Sequence, residues 1–381
     1  MEKEDLTGKV VVAMSGGVDS SVAALLLSEA GFDCVGVSMQ VWDYRNHGGC
    51  SNRATCCAPS DFADARSVAN DIGIPYYVFD FEEKFHDKVI ARFLDTYAGG
   101  ETPNPCVDCN NDVKFRELRN RAVTLGCRSV ATGHYVKLES RPDGFHVFRG
   151  KDDKKDQSYF LYGLKQDELS KTLFPLGELS KVEVREIAKA AGIKTADKPE
   201  SQDICFVSGT IDDFVGERLG TRRKPGAFRL KDGQKVGEHD GIHRFTVGQR
   251  KGLGLSGYDA PLYVLEIDPV KGDVYVGYKS ELEVPGFEVR ELNWVHPALV
   301  GGGPAEEMLV HVQVRHKHRG VPAKVFVRDG VANVSFVDEW TSPAPGQAAV
   351  FYDPENRELL GGGRIVGKSG RPQSLKLFEA A

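Results

Sequence analysis

Residues 9–39 read KVVVAMSGGVDSSVAALLLSEAGFDCVGVSM, and this stretch decides the fold. An apolar run, KVVVAM, stops at a small Gly/Ser turn, SGGVDS, resumes as a helix former, SVAALLLSEAG, and leads into a second apolar run, CVGVSM. Strand, turn, helix and strand in that order open a parallel α/β sheet. A turn between a buried strand and a helix offers free backbone N–H groups at the positive end of the helix dipole, which favours a phosphate. Gly16 and Gly17 allow close backbone approach, Ser15, Ser20 and Ser21 add hydroxyl donors, and Asp19 is a candidate magnesium ligand. No Gly-Lys-Ser/Thr follows, so the Walker pattern fails and the γ-phosphate is not the obvious centre of chemistry. A glycine-rich turn with no ligand is the plainer alternative.

The same rhythm continues. Residues 61–73 predict a helix, 75–81 a strand, 85–100 a helix closed by glycines, 112–126 another helix, and 128–135 a strand. Residues 180–192, SKVEVREIAKAAG, place Val182, Ile187, Ala190 and Ala191 on one helical face. Beyond about residue 210 helical periodicity fades, and from 283 short alternating runs such as MLVHVQVRH, AKVFVRD and VANVSFVD have the spacing of a small barrel. The expected organisation is an α/β domain over 1–209, a small mostly-β connector over 210–282 and a C-terminal β-barrel over 283–381. The GGG clusters at 301–303 and 361–363 read as loops.

Length and composition fit this division: 381 residues, 41 % hydrophobic and 27 % charged, imply a globular chain of two or three domains. No window approaches about 18 uninterrupted apolar residues and the start is acidic and polar, so the expectation is a cytoplasmic protein with no membrane partner. The net charge of −6 excludes a chain that coats nucleic acid with its whole surface and leaves room only for local basic patches. Eight cysteines are too sparse for a disulfide scaffold.

The clustered cysteines point to chemistry. In ETPNPCVDCNNDVKF, residues 101–115, Cys106 and Cys109 sit in a proline-bounded loop before a helix capped by Asn110 or Asn111. A thiol in the first turn of that helix has its thiolate stabilised, so Cys109 is expected to be reactive. SQDICFV, residues 201–207, supplies Cys205 from the same domain. Cys50, Cys56 and Cys57 lack the paired CxxC spacing of a zinc site, and Cys34 and Cys127 border strands as small buried hydrophobes. GLGLSG, residues 252–257, matches a dinucleotide pattern literally, but no strand precedes it and no helix follows, so it reads as a loop whose Arg250 and Lys251 suit RNA phosphate. In HVQVRHKHRG, residues 311–320, alternation predicts a strand with Arg315, Lys317 and Arg319 displayed on one face, suited either to an RNA backbone or to protection of an edge strand.

Ser15-Gly16-Gly17-Val18-Asp19-Ser20 resembles the PP-loop of the ATP pyrophosphatases, which implies that the turn holds the pyrophosphate portion of ATP. SGGVDSS, TPNPC-x-x-CN-x-x-x-KF, ATGHY, KDQSYFL, DICF, FTVGQRKGL and a late PGQ occur together in the order found in the tRNA-specific 2-thiouridylases, and the chain resembles that family over nearly its whole length. The resemblance implies a tRNA-uridine 2-sulfurtransferase: ATP, with magnesium, adenylates the 2-oxygen of the wobble uridine, and sulfur then replaces AMP. It implies the persulfide role for Cys205 and the resolving role for Cys109. It also implies nucleotide contacts at Ala13, Met14, Ser15, Gly16, Gly17, Val18, Asp19, Ser20, Met39 and Gly133. The tRNA contacts that it implies are Asn104, Pro105, Cys106, His134, Lys155, Asp156, Gln157, Arg315, His316 and Gln347. Its implied partners are the anticodon arm of tRNA and a sulfur-donor protein of a cysteine desulfurase relay.

One departure stands out. Many members carry Asp where this chain has Cys106, which makes Cys106, Cys109 and Cys205 an alternative three-thiolate set for a 4Fe–4S cluster. Two other readings stay open: an adenylating ligase or amidotransferase acting on a small metabolite, and a non-catalytic RNA-binding redox module.

Overall fold

The computed structural model describes residues 8–42, 59–200, 204–207 and 209–366. Cys50, Cys56 and Cys57, weighed above for zinc, lie outside the described residues.

The opening stretch folds as strand β1 (Lys9–Ala13), helix α1 (Val18–Glu29) and strand β2 (Asp33–Gln40), followed by helix α2 (Pro59–Asp71) and strand β3 (Tyr76–Asp80). Strand β4 (Ser129–Ala131), the hairpin β5 (Val136–Arg141) and β6 (Gly144–Arg149), and the short β7 (Thr172–Leu173) come next. The sheet is parallel in the order β3-β2-β1-β4-β7. The chain thus works outward from β1 to β3 and returns to the other side of β1, which opens a crevice at the carboxyl ends of β1 and β4. Val10 and Val12 pack under α1 and α2, while Val11, Val35 and Val37 pack under Leu118 and Ala122 on the opposite face. Both faces are covered, so the strands read as unbroken apolar runs.

The second unit begins with a helix, Ile211–Leu219, in a region where periodicity predicted none. Thr210 caps it by accepting the Asp213 N–H at 3.0 Å. Its Phe214, Val215 and Leu219 join a cluster built from the first domain. Strands β8 (Gly226–Arg229), β9 (Lys235–His239), β10 (Tyr263–Asp268) and β11 (Asp273–Gly277) follow in the order β10-β11-β8-β9.

The C-terminal strands β12 (Gly286–Trp294), β13 (Met308–Gln313), β14 (Val321–Arg328), β15 (Val331–Phe336), β16 (Ala348–Tyr352) and β17 (Leu359–Ile365) close a barrel in the order β12-β15-β14-β13-β16-β17. Strand β16 is buried on both faces: Ala349 and Phe351 fill the barrel, while Ala348, Val350 and Tyr352 pack on Val107, Phe115, Tyr159 and Tyr162 of the first domain. The barrel is therefore seated on the segment that carries the CxxC cysteines. The glycines at 361–363 lie in β17 and not in a loop. A Cβ on Gly362 would fall 2.7 Å from the Tyr162 ring and from the Ala349 carbonyl, so this strand needs bare backbone to approach the first domain. Among the described residues no helix is long and apolar enough to cross a membrane.

Candidate active site

Gly16 adopts φ +73, and a Cβ there would lie 2.3 Å from the Asp61 carbonyl oxygen, so glycine is required by both dihedral and space. Gly17 is extended and caps α1, leaving the first amides of the helix without carbonyl partners of their own. The serines shape the turn from within: Ser15 N–H donates to Ser20 Oγ at 3.1 Å, and Ser20 and Ser21 hydroxyls both donate to the Gly17 carbonyl. Met14, 2 % exposed, ties the end of β1 to β2 through its N–H to the Val37 carbonyl at 2.8 Å. Gly133 lies against the start of α1, where a Cβ would fall 2.8 Å from both Asp19 C and Ser20 N. Ala13 through Ser20 and Gly133 thus gather in one crevice, and Met39 lines the neighbouring strand end, packed between two apolar clusters.

Two lysines reach this turn from distant sequence. Lys181, at the start of the helix Lys181–Ala190, places Nζ 2.7 and 2.8 Å from the two oxygens of Asp19. It also pairs with Glu200 at 2.9 Å. Lys198 Nζ donates to the Gly16 carbonyl at 3.0 Å and to Asp61 and Asp64 at 2.6 Å each. Tyr135 donates its hydroxyl to Asp19 Oδ1 at 2.6 Å, and burial together with the Asp19 charge holds the phenol protonated. The phase of the Lys181–Ala190 helix differs from the expected one: Val182 is 66 % exposed, Ala190 and Ala191 face solvent, and Lys181, Val184 and Ala188 are buried. The Ser180–Glu183 capping box sets the helix start, and the buried ammonium turned toward Asp19 defines its inner face.

The cysteine segment starts earlier than expected. Helix Pro105–Asp108 has Asn104 at its cap and Pro105 in its first turn, and it continues as the wide π-helical turns of Cys109–Glu117. Cys109 therefore lies past the first turn, where a helix terminus does not stabilise its thiolate. Cys109 and Cys205 both pack against a cluster of Phe85, Phe93, Val113, Phe206 and Phe214 that Met39 also touches. Cys106 is exposed. The one close set of three metal-ligating side chains among the described residues is His146, His296 and Glu358, and the three cysteines form no such set. Cys34 and Cys127 are buried at 2 % and 3 % exposure, with burial pushing the Cys34 thiol up to about 11.

The residues expected at RNA divide into two groups. His134 is buried between Phe115 and Phe174 with Nδ1 2.8 Å from Thr132 Oγ1, and burial pushes its pKa down to about 3. Asp156 is buried beneath Arg149 and Ser158 at 2.7 and 2.8 Å, Gln157 accepts the Tyr135 N–H at 3.0 Å, and Lys155 pairs with Glu200 at 2.6 Å. Gln157 and Lys155 thus back the two residues that reach Asp19, Tyr135 and Lys181, the latter through Glu200, while Asp156 belongs to the Arg149–Ser158 network that meets Gln313 and Tyr352 of the barrel. Gln347 donates to the carbonyls of Thr102 and Pro103 at 3.1 and 2.9 Å. Arg315, His316, Lys317 and Arg319 are exposed, but on a turn and not on a strand face, because β13 ends at Gln313. Gln313 folds that turn by donating to the carbonyls of Arg315 and His316 at 3.3 and 2.8 Å. The barrel is closed, so a need to protect a free edge does not account for these charges. The 252–257 glycines form a loop, as their context required.

Lys181, Lys198 and Tyr135 were invisible as site residues in the sequence. The Ser180–Glu183 pair signalled a helix start, and Tyr135 stood inside ATGHY, but neither indicates what the side chain reaches.

Residues 8–209 match a family model described as tRNA methyl transferase HUP domain, residues 212–278 one described as tRNA methyl transferase PRC-barrel domain, and residues 284–365 one described as aminomethyltransferase beta-barrel domain. A protein of Azorhizobium caulinodans described as tRNA-specific 2-thiouridylase MnmA is 46 % identical over 363 residues, covering 94 % of this chain and 92 % of its own. Its counterpart in Sorangium cellulosum, described identically, is 44 % identical over 371 residues, covering 96 % and 94 %. A solved complex of a 4-thiouridine synthetase with RNA and bound ATP aligns at 15 % identity over 56 % of this chain and 51 % of that one, with TM-score 0.33, too loose a superposition to bear on function.

Proposed function

Because this chain belongs to the tRNA-specific 2-thiouridylase family, we propose that it converts the wobble uridine of tRNA to 2-thiouridine, using ATP and a sulfur atom carried on Cys205. The observation that supports this most is that Cys109 and Cys205, distant in sequence, pack on one aromatic cluster against which Met39 also packs. A small-metabolite ligase needs no such pair. The matched domain descriptions speak of methyl transfer, but the relatives that align end to end are described as thiouridylases, and paired thiols favour sulfur chemistry.

The uracil 2-oxygen is a poor leaving group. Its attack on the α-phosphorus of ATP forms an O–P bond, breaks the bond to the β-phosphate oxygen and releases pyrophosphate. The amides at the start of α1 and the Gly16–Gly17 backbone suit that pyrophosphate. Lys181, at Asp19, brings the positive charge that a Walker lysine supplies elsewhere, while Lys198, bound to the Gly16 carbonyl, Asp61 and Asp64, braces the turn. The terminal sulfur of a Cys205 persulfide then attacks C2, and AMP departs with the electrons of the C2–O bond. Attack by the Cys109 thiolate on Cys205 Sγ breaks the S–S bond, leaves the sulfur on the uridine and forms a Cys109–Cys205 disulfide, which an external thiol reductant reopens. The base must leave its stack for its 2-oxygen to reach both partners.

Lys181 and the Tyr135 hydroxyl occupy the Asp19 carboxylate, so as arranged an ammonium stands where a magnesium ion would bind, and no step is derived through that ion. Cys106, Cys109 and Cys205 do not form a single-ion site, and no step is derived through an iron–sulfur cluster. The test is nucleoside analysis of unmodified tRNA incubated with the protein, ATP, magnesium, a thiol reductant and a persulfide donor such as a cysteine desulfurase with cysteine. It should yield 2-thiouridine, with pyrophosphate released only when tRNA is present; pyrophosphate release indifferent to tRNA refutes the reading.

A further inference from the structure

The barrel grips the cysteine segment at two points. At its start, Thr102 donates its N–H to the Pro345 carbonyl at 2.8 Å, and Gln347 holds the carbonyls of Thr102 and Pro103. Gly346, at φ +86, is pressed so closely on this loop that a Cβ would fall 2.8 and 2.9 Å from Thr102 O and N. Further along the helix, Arg364 of β17 donates Nη2 to Asp108 Oδ1 and Nη1 to the Gly346 carbonyl, each at 3.0 Å. One guanidinium thus joins both grips.

Asp108 immediately precedes Cys109 and is 3 % exposed. Arg92 approaches its Oδ1 at 3.6 Å. Glu291, held at φ +52 where β12 bulges, pairs with Arg92 and lies 3.5 Å from Arg364 Nε. Asp108 Oδ2 has no hydrogen-bond partner, and burial keeps the carboxyl above its ordinary range although two arginines oppose this. A buried ion pair contributes little stability against an apolar replacement of the same volume, and one with an orphaned oxygen contributes less. Fixing position is what such a tie does well, and the position fixed here is that of the residue next to Cys109.

We propose that Arg364 and Asp108 are positioning residues for the Cys109 thiol, through which the barrel sets where the sulfur-resolving cysteine stands. The inference rests on the reading of Cys109 given above. A barrel that has taken hold of RNA then carries the thiol to a fixed place relative to the bound base.

The test uses the full chain with Arg364→Met and with the double variant Asp108→Asn/Arg364→Met, in which no buried charge is left without compensation. In both, kcat for thiolation should fall roughly tenfold or more, as small misplacements of reacting groups do. The KM for tRNA and tRNA-dependent pyrophosphate release should stay near wild type. In Arg364→Met, the pH midpoint of Cys109 alkylation by iodoacetamide, followed on its own peptide by mass spectrometry, should move upward, because Asp108 loses its nearest cation. Wild-type thiolation in the double variant would overturn the proposal, reducing the pair to mutual charge compensation. If the single variant does not fold, the double variant decides by its kcat. If the wild-type protein makes no 2-thiouridine at all, the alkylation profile decides alone: a displaced midpoint upholds the tie between barrel and thiol, and an unchanged one refutes it.

Discussion

Lys181 and Asp19 lie far apart in the chain, yet the ammonium sits 2.7 and 2.8 Å from the two carboxylate oxygens, in the crevice where α1 begins. A helix that looks ordinary in the sequence thus delivers the cation that the glycine-rich turn lacks. On the proposed reading this ammonium serves an arriving phosphate. Lys181→Met should therefore lower tRNA-dependent pyrophosphate release at least tenfold, on the order of the loss seen when one preorganised charge is removed from a phosphoryl or oxyanion site. Filter binding of tRNA should not change. Normal pyrophosphate release by this variant would remove Lys181 from the phosphate site.

Gly133 offers a test of how tightly the crevice is built. A methyl group at this position would lie 2.8 Å from Asp19 C and Ser20 N, and both are backbone atoms that cannot swing aside. Gly133→Ala should cost about 1–3 kcal/mol, the usual range for overpacking. In a domain of this size each kcal/mol lowers Tm by roughly 2–4 °C. Gly302→Ala, where nothing lies within 4 Å of the new carbon, is the matched control and should leave Tm unchanged. Equal melting of the two variants by calorimetry would show that the strand end and the α1 terminus do not touch in solution.

The fold was legible wherever it followed from local pattern: apolar runs on both faces of β1 and β2, glycine stops and the even spacing of the barrel strands. Legibility failed where tertiary packing overrode the pattern. Gly361, Gly362 and Gly363 have the composition of a loop, and only the pressure of Tyr162 on β17 explains why a strand carries them. The alternation in HVQVRHKHRG is real through Gln313, but the Gln313 side chain bends the following residues into a turn. Val182 has the apolar character of a buried residue, whereas the helix turns its lysine inward to meet Asp19. The two sulfur-bearing segments were recognisable one by one. That both pack on one cluster was not, since the cluster is assembled from several segments of the chain.

His134 gives a pH signature. Its folded pKa is near 3 because the ring is buried, while an unfolded chain titrates near 6.5. Below pH 6.5 the unfolded state therefore binds a proton that the folded state refuses. Stability from this site is complete above pH 6.5 and declines as pH falls toward 3, with a slope that approaches about 1.4 kcal/mol per pH unit. His134→Gln should flatten the fall of Tm between about pH 6.5 and about pH 4.5 relative to wild type. Parallel curves for the two proteins would mean that the ring takes up its proton in the folded state.

The basic turn can be separated from the chemistry. Arg315, Lys317 and Arg319 are exposed on the barrel between β13 and β14, held by Gln313. Arg315→Glu/Lys317→Glu should weaken tRNA binding and reduce the slope of log K against log salt by roughly 0.7–0.9 for each phosphate that is no longer neutralised. Cys109 alkylation should stay the same, because the ion pairs of Asp108 run to Arg92 and Arg364 and not to this turn. Unchanged affinity and slope would move the RNA interface to another surface.

Cys205 carries the most direct test of the two-stage chemistry. On the proposed mechanism adenylation draws on the turn around Gly16, Asp19 and Lys181, whereas sulfur delivery draws on the cluster on which Cys109 and Cys205 both pack. If the stages are distinct, Cys205→Ser keeps tRNA-dependent pyrophosphate release and loses 2-thiouridine formation, since a serine oxygen cannot carry a transferable sulfur. The hydroxyl is smaller and harder than the thiol, so packing on Phe206 is little disturbed and the protein should melt within about 1–2 °C of wild type. Cys109→Ser should differ in kind: one sulfur transfer stalls with tRNA linked through sulfur to Cys205, visible as a gel-shifted species that dithiothreitol releases. Retained thiolation in Cys205→Ser would place the sulfur carrier elsewhere, and loss of pyrophosphate release together with thiolation would show that the two stages share a residue that this geometry keeps apart.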